Sequence, residues 1–439
     1  LMIDKRSILE TVVKKVNSYP FTWITGARQV GKTWIIKEFG KNEYKSFVYI
    51  NCDSNKPVSE LFEQDFDMIR IIRGLAAISN IAIEPESTLI FLDEVQEIPR
   101  AVQSLKYFNE DAGNYHIIVA GSLLGIHEHK GISFPVGKID SLTMYPMTFS
   151  EFVLASRGEQ MYKLLMTESM DNLIAFHSVF VELLRQYYFT GGMPAVVQAF
   201  IDGKSPSEVR EIQKQIVSDY NDDISKHASA SEVIRIDQVW SSLTGQLAKE
   251  NRKFVYANVQ KGARAKEYET AIQWLCNSGL VIKVNRCTKG SIPLKYYEDF
   301  SAFKLYVLDC GLLGTISEAP ASQILIGNNI FKEYKGSFSE NYVIQQLVNI
   351  LDLSIFYFST NESKMELDFI FQSDDKIVPV EVKAEENLRA KSLKLFCLEN
   401  NLKGIRFSML PYKEQERVVN IPLYAVERLN DLGDLSWMR

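Results

Sequence analysis

The chain of 439 residues is long enough for about two to four domains that each bury a hydrophobic core. Apolar residues make up 46% and charged residues 24%, proportions that are typical of a soluble globular protein. The formal net charge of -6 argues against a chain coated throughout for nucleic acid, although it leaves room for a local basic face.

The cysteines and the hydropathy pattern indicate a cytoplasmic protein. The five cysteines are scattered without a C-x-x-C pair, which argues against both a zinc site and a disulfide framework. No apolar run reaches membrane-spanning length, and the first residues lack a signal-peptide pattern. We therefore expect a cytoplasmic protein with no membrane partner.

A phosphate-binding loop is predicted near the start of the chain, after an amphipathic helix over residues 2–20 and an apolar strand over residues 21–25. The run GARQVGKT fits the pattern G-x-x-x-x-G-K-[ST], and the following WIIKEF continues as a helix. Glycines let the backbone close around an anion, and the helix directs free N–H groups and its positive dipole end toward it. An ordinary glycine turn is the alternative interpretation. We expect ATP to bind to Gly26, Ala27, Arg28, Gln29, Val30, Gly31, Lys32, Thr33 and Trp34.

Two side chains of this loop have expected roles in catalysis. Lys32 would reach the β- and γ-phosphates, and the Thr33 hydroxyl would ligate Mg²⁺. Beyond the loop, the sequence predicts a second strand over residues 45–53 and shows helical spacing over residues 58–79.

The acidic end of the next strand is the second part of the predicted nucleotide site. Four apolar residues run into Asp93 and Glu94, which is the Walker B pattern of a buried parallel strand. Asp93 would hold Mg²⁺ through water, and Glu94 would polarise the attacking water. A solvated strand end is the alternative, but the position after a phosphate loop favours the catalytic interpretation.

Two further strands are predicted over residues 115–122 and 142–147. Repeated β–α units with parallel-type strands predict a doubly wound sheet that binds nucleotide at the carboxyl ends of its strands. If the strand over residues 115–122 neighbours the Walker B strand, Ser122 would lie near the γ-phosphate in the role called sensor 1. The alternative is a strand-end turn through Gly121 and Ser122.

Several of these motifs together resemble one protein family. The runs GARQVGKT, LIFLDEVQEIP, IIVAGSLLG, MYPMTFSEF and YFTGGMP are similar to those of prokaryotic AAA-type P-loop ATPases with a C-terminal domain of unknown function (AAA_14 with DUF4143). The resemblance covers nearly the whole chain and implies an ATPase, with a homo-oligomer as the candidate assembly. In that family a Gly-Arg pair after the sensor strand is a candidate arginine finger, whereas this chain has Gly137 and Lys138. Lysine lacks the planar fork of arginine, which argues against trans-activation by a neighbouring subunit.

The middle of the chain is predicted to be mostly helical between residues 150 and 228, as a lid over the nucleotide or a connector to the second half. The run Ser205-Pro206-Ser207-Glu208 predicts a helix start there. Helices followed by a short β-ribbon over residues 232–290 have the layout of a winged helix, which the family resemblance also implies. Arg264, Lys266 and Tyr268 form a candidate DNA-facing surface, and a winged helix used only for packing is the alternative.

The last third carries a second set of charged residues. Glu340 lies on a predicted helix, Asp368 on the next strand but one, and Glu381 with Lys383 on the strand that follows. This order resembles the PD-(D/E)xK nuclease core, with Leu367 in place of the proline. The three acids would hold Mg²⁺, and the lysine would stabilise developing charge. Such folds are also used for binding alone, and Glu381 with Lys383 also fits a surface salt bridge.

The predicted chain is therefore α/β with four parts. These are an AAA-type P-loop core with a doubly wound parallel sheet (residues 1–150), a helical lid or connector (151–230), a winged-helix-like domain (231–295) and a restriction-endonuclease-like α/β domain (296–439). The first hypothesis is an Mg²⁺-dependent ATPase whose hydrolysis of ATP drives a conformational switch acting on nucleic acid. The alternatives are an ATP-regulated interaction protein whose nuclease-like domain only binds a partner, and an ATP-gated metal-dependent nuclease.

Overall fold

The computed structural model describes residues 21–121, 140–249, 252–326, 332–360, 365–384 and 390–429. The chain divides into two compact units, of which the first comprises Leu1–Pro146 with Asn277–Gly279 and the second comprises Met147–Cys276 with Leu280–Arg439. The predicted helix over residues 2–20 lies outside the described residues. Within the described ranges, no helix is both long and apolar enough to cross a membrane.

A five-stranded sheet forms the centre of the first unit. Its strands are β1 (Phe21–Thr25), β2 (Ser46–Asn51), β3 (Thr88–Asp93), β4 (His116–Ala120) and β5 (Asp140–Thr143). They are arranged in the order β2-β3-β4-β1-β5, and every neighbouring pair is parallel. The predicted parallel sheet of the P-loop type is thus confirmed, although β5 begins and ends earlier than the predicted strand over residues 142–147.

In the described part of this unit, four α-helices accompany the sheet: α1 (Lys32–Glu43), α2 (Lys56–Gln64), α3 (Met68–Ser79) and α4 (Pro99–Asp111). Apolar positions of α2, α3 and α4 and of the strands β1 to β4 share one buried core, which includes Trp23, Val48, Ile50, Phe62, Ile71, Leu75, Ile90, Leu92, Leu105, Phe108 and Val119. Because β3 is buried along its whole length, it can carry the acidic Asp93 into the centre of the sheet's carboxyl edge.

The helical pattern over residues 58–79 is divided into two helices. Asp67 interrupts it, since its carboxylate accepts a hydrogen bond from the backbone N–H of Arg70 at 3.1 Å and thereby caps the start of α3. Asp65 at the end of α2 is extended and forms an ion pair with Arg70 at 2.8 Å. Local capping therefore overrides a continuous apolar periodicity here.

The second unit begins with a helical region. Its helices are α5 (Phe149–Arg157), α6 (Glu159–Thr167), α7 (Met170–Leu173), α8 (His177–Thr190), α9 (Pro194–Ile201), α10 (Pro206–His227), α11 (Ala230–Leu247) and α12 (Ala265–Asn277). The predicted helix start at Ser205 is confirmed, because Ser205 and Glu208 form a capping box at the beginning of α10.

An eight-stranded sheet follows in the same unit. The strands are β6 (Val281–Cys287), β7 (Glu298–Val307), β8 (Ile355–Ser359), β9 (Glu366–Ser373), β10 (Lys376–Lys383), β11 (Gly404–Ser408), β12 (Lys413–Glu414) and β13 (Val418–Pro422). Their order is β12-β13-β11-β10-β9-β8-β6-β7. The accompanying helices are α13 (Cys310–Ile316), α14 (Ala321–Ile326), α15 (Lys332–Ile350) and α16 (Lys391–Glu399).

The hairpin that the sequence places with a winged helix belongs to this large sheet. β6 pairs antiparallel with β7 and parallel with β8. The domain boundary predicted at residue 295 therefore lies between two paired strands. The winged-helix assignment and the four-part division remain predictions.

The run YFTGGMP makes a close backbone approach to α13. Gly191 has φ +68°, and a Cβ atom added to it would lie 1.9 Å from Oδ1 of Asp309. The next residue, Gly192, donates its N–H to Oδ2 of Asp309 at 2.6 Å. Asp309 also caps α13 by accepting from the N–H of Leu312 at 3.0 Å. Glycine is thus needed at 191, where the chain passes the fully buried carboxyl group of Asp309, and at 192, where a Cβ atom would collide with the backbone oxygen of Met147.

Candidate functional site

The phosphate-loop residues form the connection between β1 and α1. The loop uses left-handed backbone at Gln29 (φ 64°) and Gly31 (φ 99°). At Gly26 (φ 134°) a Cβ atom would lie 2.1 Å from the carbonyl oxygen of Met144, so only glycine fits. Lys32 is 9% exposed and its Nζ donates to the carbonyl oxygens of Gly26 and Ala27 at 2.9 and 2.8 Å. The lysine ammonium group therefore forms hydrogen bonds with the backbone of the phosphate loop itself.

The two predicted Mg²⁺ ligands are in direct contact. Thr33 Oγ1 at the start of α1 donates to Oδ2 of Asp93, at the end of β3, over 2.8 Å. The Tyr49 hydroxyl donates to the same oxygen at 3.3 Å. Burial raises the pKa of Asp93, and the hydrogen bonds from Thr33 and Tyr49 partly offset that rise. A hydroxyl and a carboxylate oxygen beside a phosphate loop fit the hard oxygen ligands that Mg²⁺ takes.

Glu94 follows Asp93 in a left-handed backbone conformation with φ 52°. This turn ends the strand, and the Glu94 N–H donates to Oδ1 of Asp93 at 3.2 Å. The carboxylate of Glu94 is half-buried, and its Oε2 accepts a hydrogen bond from Nε2 of Gln96 at 2.6 Å. A positive φ at a residue that is neither glycine nor asparagine is uncommon and is found at functional turns.

Gln96 is a residue of this site that the sequence reasoning missed. It is 4% exposed, and its Oε1 is buried without a hydrogen-bond partner among the described residues. A Cβ atom on Gly121, just after β4, would lie 2.2 Å from this oxygen. The sequence signal that could have identified Gln96 is a polar residue near the apolar residues of DEVQEI. Its hydrogen bond with Glu94 could be known only from the turn that the backbone makes at Glu94.

The sheet order places the expected sensor strand as predicted. β4 pairs with both β3 and β1, so it lies between the Walker B strand and the phosphate-loop strand. Ser122, which follows this strand in the sequence, lies outside the described residues, and so does Lys138. Their roles stay predictions. Of the remaining loop residues, Gln29 is exposed, Arg28 and Trp34 are half-buried, and Val30 is buried.

The four charged residues of the C-terminal prediction lie close together. Glu340 on α15 forms a hydrogen bond with Asp368 on β9, and the Val382 N–H of β10 donates to Oδ2 of Asp368 at 2.7 Å. Lys383 forms an ion pair with Glu381 at 2.5 Å. Glu340 and Glu381 are 2% and 7% exposed, whereas Asp368 and Lys383 are half-buried. The Glu381–Lys383 ion pair of the alternative interpretation is therefore present, at the partly exposed side of a largely buried cluster.

Two cations from outside the predicted motif enter this cluster. Arg252 forms an ion pair with Glu340, and the buried Lys304 of β7 forms one with Glu366 at 2.8 Å. Burial alone would lower the pKa of Lys304, but the negative charges of Glu340, Asp368 and Glu366 outweigh it and raise that pKa.

The acids of the cluster respond differently to this environment. Burial raises the pKa of Glu340 to about 7, against the lowering effect of the Arg252 charge. Burial also acts to raise the pKa of Asp368, but the Lys304 charge and the hydrogen bond with Glu340 outweigh it and lower that pKa. Across the described ranges, no group of three or more His, Cys, Asp or Glu side chains is placed to hold a metal ion. The nuclease-like metal site therefore stays a prediction.

The candidate DNA-facing surface is only partly exposed. Arg264 and Lys266 are exposed, but Tyr268 is 4% exposed and its hydroxyl donates to the side-chain oxygens of Gln238 and Gln260 at 2.7 and 3.0 Å. The prediction that Tyr268 faces DNA is wrong, because the first turns of α12 rotate it into the core of the unit.

Comparisons with known families assign three regions of the chain. An AAA domain matches residues 18–153, a domain of unknown function (DUF8612) matches residues 181–323, and a domain of unknown function (DUF4143) matches residues 335–425. A search of curated protein sequences found no match.

A search of solved structures found weak matches, of which three follow. A Walker-type ATPase of Pyrococcus abyssi is 12% identical, with 71% of this chain and 95% of that chain covered and a TM-score of 0.43. The ORC1 protein of Aeropyrum pernix, solved in complex with DNA, is 11% identical (72% and 93% covered, TM-score 0.29). Cdc6p of Pyrobaculum aerophilum is 13% identical (73% and 93% covered, TM-score 0.26). From the family matches, this chain combines an N-terminal AAA domain of the P-loop fold with a C-terminal DUF4143 domain.

Proposed function

We propose that the protein is an Mg²⁺-dependent ATPase that uses ATP hydrolysis as a conformational switch acting on nucleic acid. The observation that carries the ATPase proposal is the 2.8 Å hydrogen bond between Thr33 Oγ1 and Asp93 Oδ2. It joins the end of the phosphate loop to the end of β3, where a P-loop enzyme holds its metal ion. The AAA domain match over residues 18–153 supports the same assignment.

Each residue of the site has a chemical task in this proposal. The loop backbone and the α1 N-terminus bind the phosphates, with Lys32 contacting the β- and γ-phosphate oxygens. Thr33 and Asp93 would hold Mg²⁺, which neutralises phosphate charge when it is bound. Glu94 accepts the proton of the attacking water.

The hydrogen bond from Gln96 gives Glu94 a defined orientation. Since Gln96 engages only Oε2, the other carboxylate oxygen of Glu94 is the one that would receive the water. We assign Gln96 as a positioning residue for this reason. Ser122, as sensor 1, completes the proposed set.

The test of the ATPase proposal uses the full chain. We expect saturable ATP binding by calorimetry and phosphate release that stops when EDTA removes Mg²⁺. Lys32→Ala should abolish binding, whereas Lys41→Ala on the exposed end of the same helix should not. ATP binding by the Lys32→Ala protein at wild-type affinity would refute the proposed ATP site. Tight ATP binding by the wild type without any hydrolysis would refute the proposed ATPase activity.

The nucleic-acid part of the proposal is supported by the exposed Arg264 and Lys266 at the start of α12. We expect single- or double-stranded DNA to change the rate of ATP hydrolysis, and the double variant Arg264→Glu/Lys266→Glu to lose that response with its basal rate intact. If no nucleic acid alters the basal rate of ATP hydrolysis, the ATPase proposal stands and the proposal that nucleic acid is its target is refuted.

The second candidate is an ATP-regulated interaction protein whose nuclease-like half binds without cutting. The observation that favours it is the pairing of Glu340 with Arg252 and of Glu381 with Lys383. These ion pairs already neutralise carboxylates that a nuclease would present to a metal ion. Mg²⁺-dependent cleavage of plasmid and single-stranded DNA, with and without ATP, separates the two. Cleavage that Asp368→Ala abolishes would support an ATP-gated nuclease, and no cleavage by either protein would support binding alone.

A further inference from the structure

A pocket of about 640 Å³ lies in the second unit, between the first turns of α10 and the segment from the end of α13 to α14. Its volume is in the range of small-molecule sites. Pro206, Ala319, Pro320 and Leu325 supply apolar walls, and the charged residues of its lining are Arg210, Glu211, Lys214 and Glu318.

Arg210 is held in place by uncharged acceptors alone. Its Nη1 donates to the side chains of Gln213 at 3.0 Å and Thr315 at 2.7 Å and to the Gly311 carbonyl at 3.4 Å. Its Nη2 donates to the Ala319 carbonyl at 3.1 Å. The guanidinium carbon lies 5.1 Å from the centre of the Phe189 ring. In the described part of the chain, no carboxylate forms an ion pair with this arginine.

The hydrogen bonds of Arg210 do not use all the N–H groups of its guanidinium. A guanidinium carries five N–H donors, and the contacts above use the two on Nη1 and one on Nη2. The remaining donors, on Nε and Nη2, form the edge that binds a carboxylate with two parallel hydrogen bonds. Burial lowers the pKa of Arg210 to about 10, and no neighbouring acid counteracts that shift.

The other charges of the pocket select among anions. Lys214 is engaged by Glu211 in an ion pair at 2.8 Å, so these two charges cancel. Glu318 is exposed on the rim and contributes one negative charge. A multiply charged phosphate or nucleotide would meet this repulsion with a single cation to offset it, whereas a singly charged group would not.

From these contacts we propose that the pocket around Arg210 is a binding site for a small monocarboxylate with an apolar body. The carboxylate pairs with the Nε and Nη2 edge, and the apolar body lies against Leu325 and Pro320. The site is separate from the predicted nucleotide residues in the chain and does not depend on ATP hydrolysis.

Titration calorimetry of the full chain with sodium hexanoate tests this proposal, with sodium acetate, inorganic phosphate and sodium chloride as reference anions at equal ionic strength. We expect saturable binding of hexanoate, weaker binding of acetate because it lacks the apolar body, and no binding of phosphate. Arg210→Gln should remove hexanoate binding. Since that change also removes four structural hydrogen bonds, a second variant is needed.

Ser322→Glu places a negative charge on the exposed lining of the pocket and leaves the Arg210 contacts untouched. Two unit charges about 5 Å apart in water repel enough to weaken hexanoate binding by about fourfold. Glu318→Gln removes a negative charge from the rim and should tighten binding. No saturable binding by the wild type, or equal hexanoate affinity in the wild type and Ser322→Glu, would show that Arg210 is only a structural brace. Binding of phosphate in preference to hexanoate would overturn the choice of ligand.

Discussion

Thr33, at the start of α1, and Asp93, at the end of β3, are joined by a 2.8 Å hydrogen bond. The sheet order makes this contact possible, because β4 is the single strand between the phosphate-loop strand and the Walker B strand. The contact places the two proposed Mg²⁺ ligands next to each other at the carboxyl edge of the sheet.

Replacing Thr33 with Val tests this relationship, since the two side chains have nearly the same shape. We expect turnover to fall at least about tenfold, or about 1.4 kcal/mol in the activation free energy, with a higher Mg²⁺ requirement. Tyr49→Phe removes the other hydrogen bond to the same oxygen without removing a proposed ligand, so its Mg²⁺ dependence should match the wild type. Mg²⁺ titrations of the hydrolysis rate measure both, and identical curves for the two variants would contradict the assignment of Thr33.

Glu94→Gln should keep ATP binding and lose hydrolysis. The amide cannot accept the proton of the attacking water, and general-base catalysis contributes about 10²- to 10⁴-fold in rate. Glu97→Gln, three residues along on the exposed side of the same turn, is the matched control and should hydrolyse ATP normally. Single-turnover kinetics together with calorimetric affinities decide the outcome, and wild-type turnover by Glu94→Gln would remove that residue from its role.

Gln96→Leu separates positioning from stability. The substitution removes the 2.6 Å hydrogen bond to Glu94, so we expect kcat to fall about tenfold with KM for ATP unchanged. It also removes a buried Oε1 that has no partner in the described part of the chain, and such a group costs about 1–3 kcal/mol. The melting temperature should therefore not fall. A lower Tm with unchanged kcat would mean that Gln96 only fills space beneath Gly121.

The sequence predicted the nucleotide site better than the C-terminal site, for a physical reason. A phosphate loop is a local structure whose glycines, lysine and threonine follow one another in the chain, and the strand before Asp93 is recognisable from its apolar run. The sequence did not specify the order of the strands, nor the turn that brings Gln96 back to Glu94, because those depend on packing between distant segments.

In the C-terminal half, the residues Glu340, Asp368, Glu381 and Lys383 lie close together, and their role as a metal site stays a prediction. Arg252, which pairs with Glu340, and Lys304, whose charge acts on Glu340 and Asp368, come from other parts of the chain, so no local pattern could include them. The same limit explains Tyr268, whose position near basic residues indicated a surface although its hydroxyl bonds within the core.

The glycine pair in YFTGGMP has a steric explanation that the sequence alone did not provide. Gly191→Ala should cost about 3 kcal/mol or more, since its Cβ would lie 1.9 Å from the Asp309 carboxylate and its φ is +68°. Gly203→Ala is the control for backbone strain alone, because Gly203 has φ +78° and nothing within 4 Å of its Cβ position. We expect Gly203→Ala to lower the free energy of unfolding by about 1 kcal/mol. Urea unfolding curves compare the two, and equal losses would mean that the close approach to Asp309 carries no cost.

Glu427 gives the second unit a pH-dependent stability. It is 9% exposed, and burial raises its pKa to about 7, although hydrogen bonds from the Ser150 N–H and hydroxyl, both 2.6 Å, act to lower it. Because the folded pKa lies above the ordinary value of 4.5, the folded state binds the proton more tightly. The stabilising contribution of the protonated carboxyl group is complete below pH 4.5 and is lost as the pH rises through about 7.

Glu427→Gln cannot titrate, so the variant should gain stability relative to the wild type as the pH rises through this range, on the order of 2–3 kcal/mol in the free energy of unfolding. Urea unfolding at pH 4.5 and pH 8 measures the change, with the exposed Glu416→Gln as a control that should run parallel to the wild type. A constant difference between Glu427→Gln and the wild type at both pH values would show that the carboxyl group is ionised throughout, held by the two hydrogen bonds from Ser150.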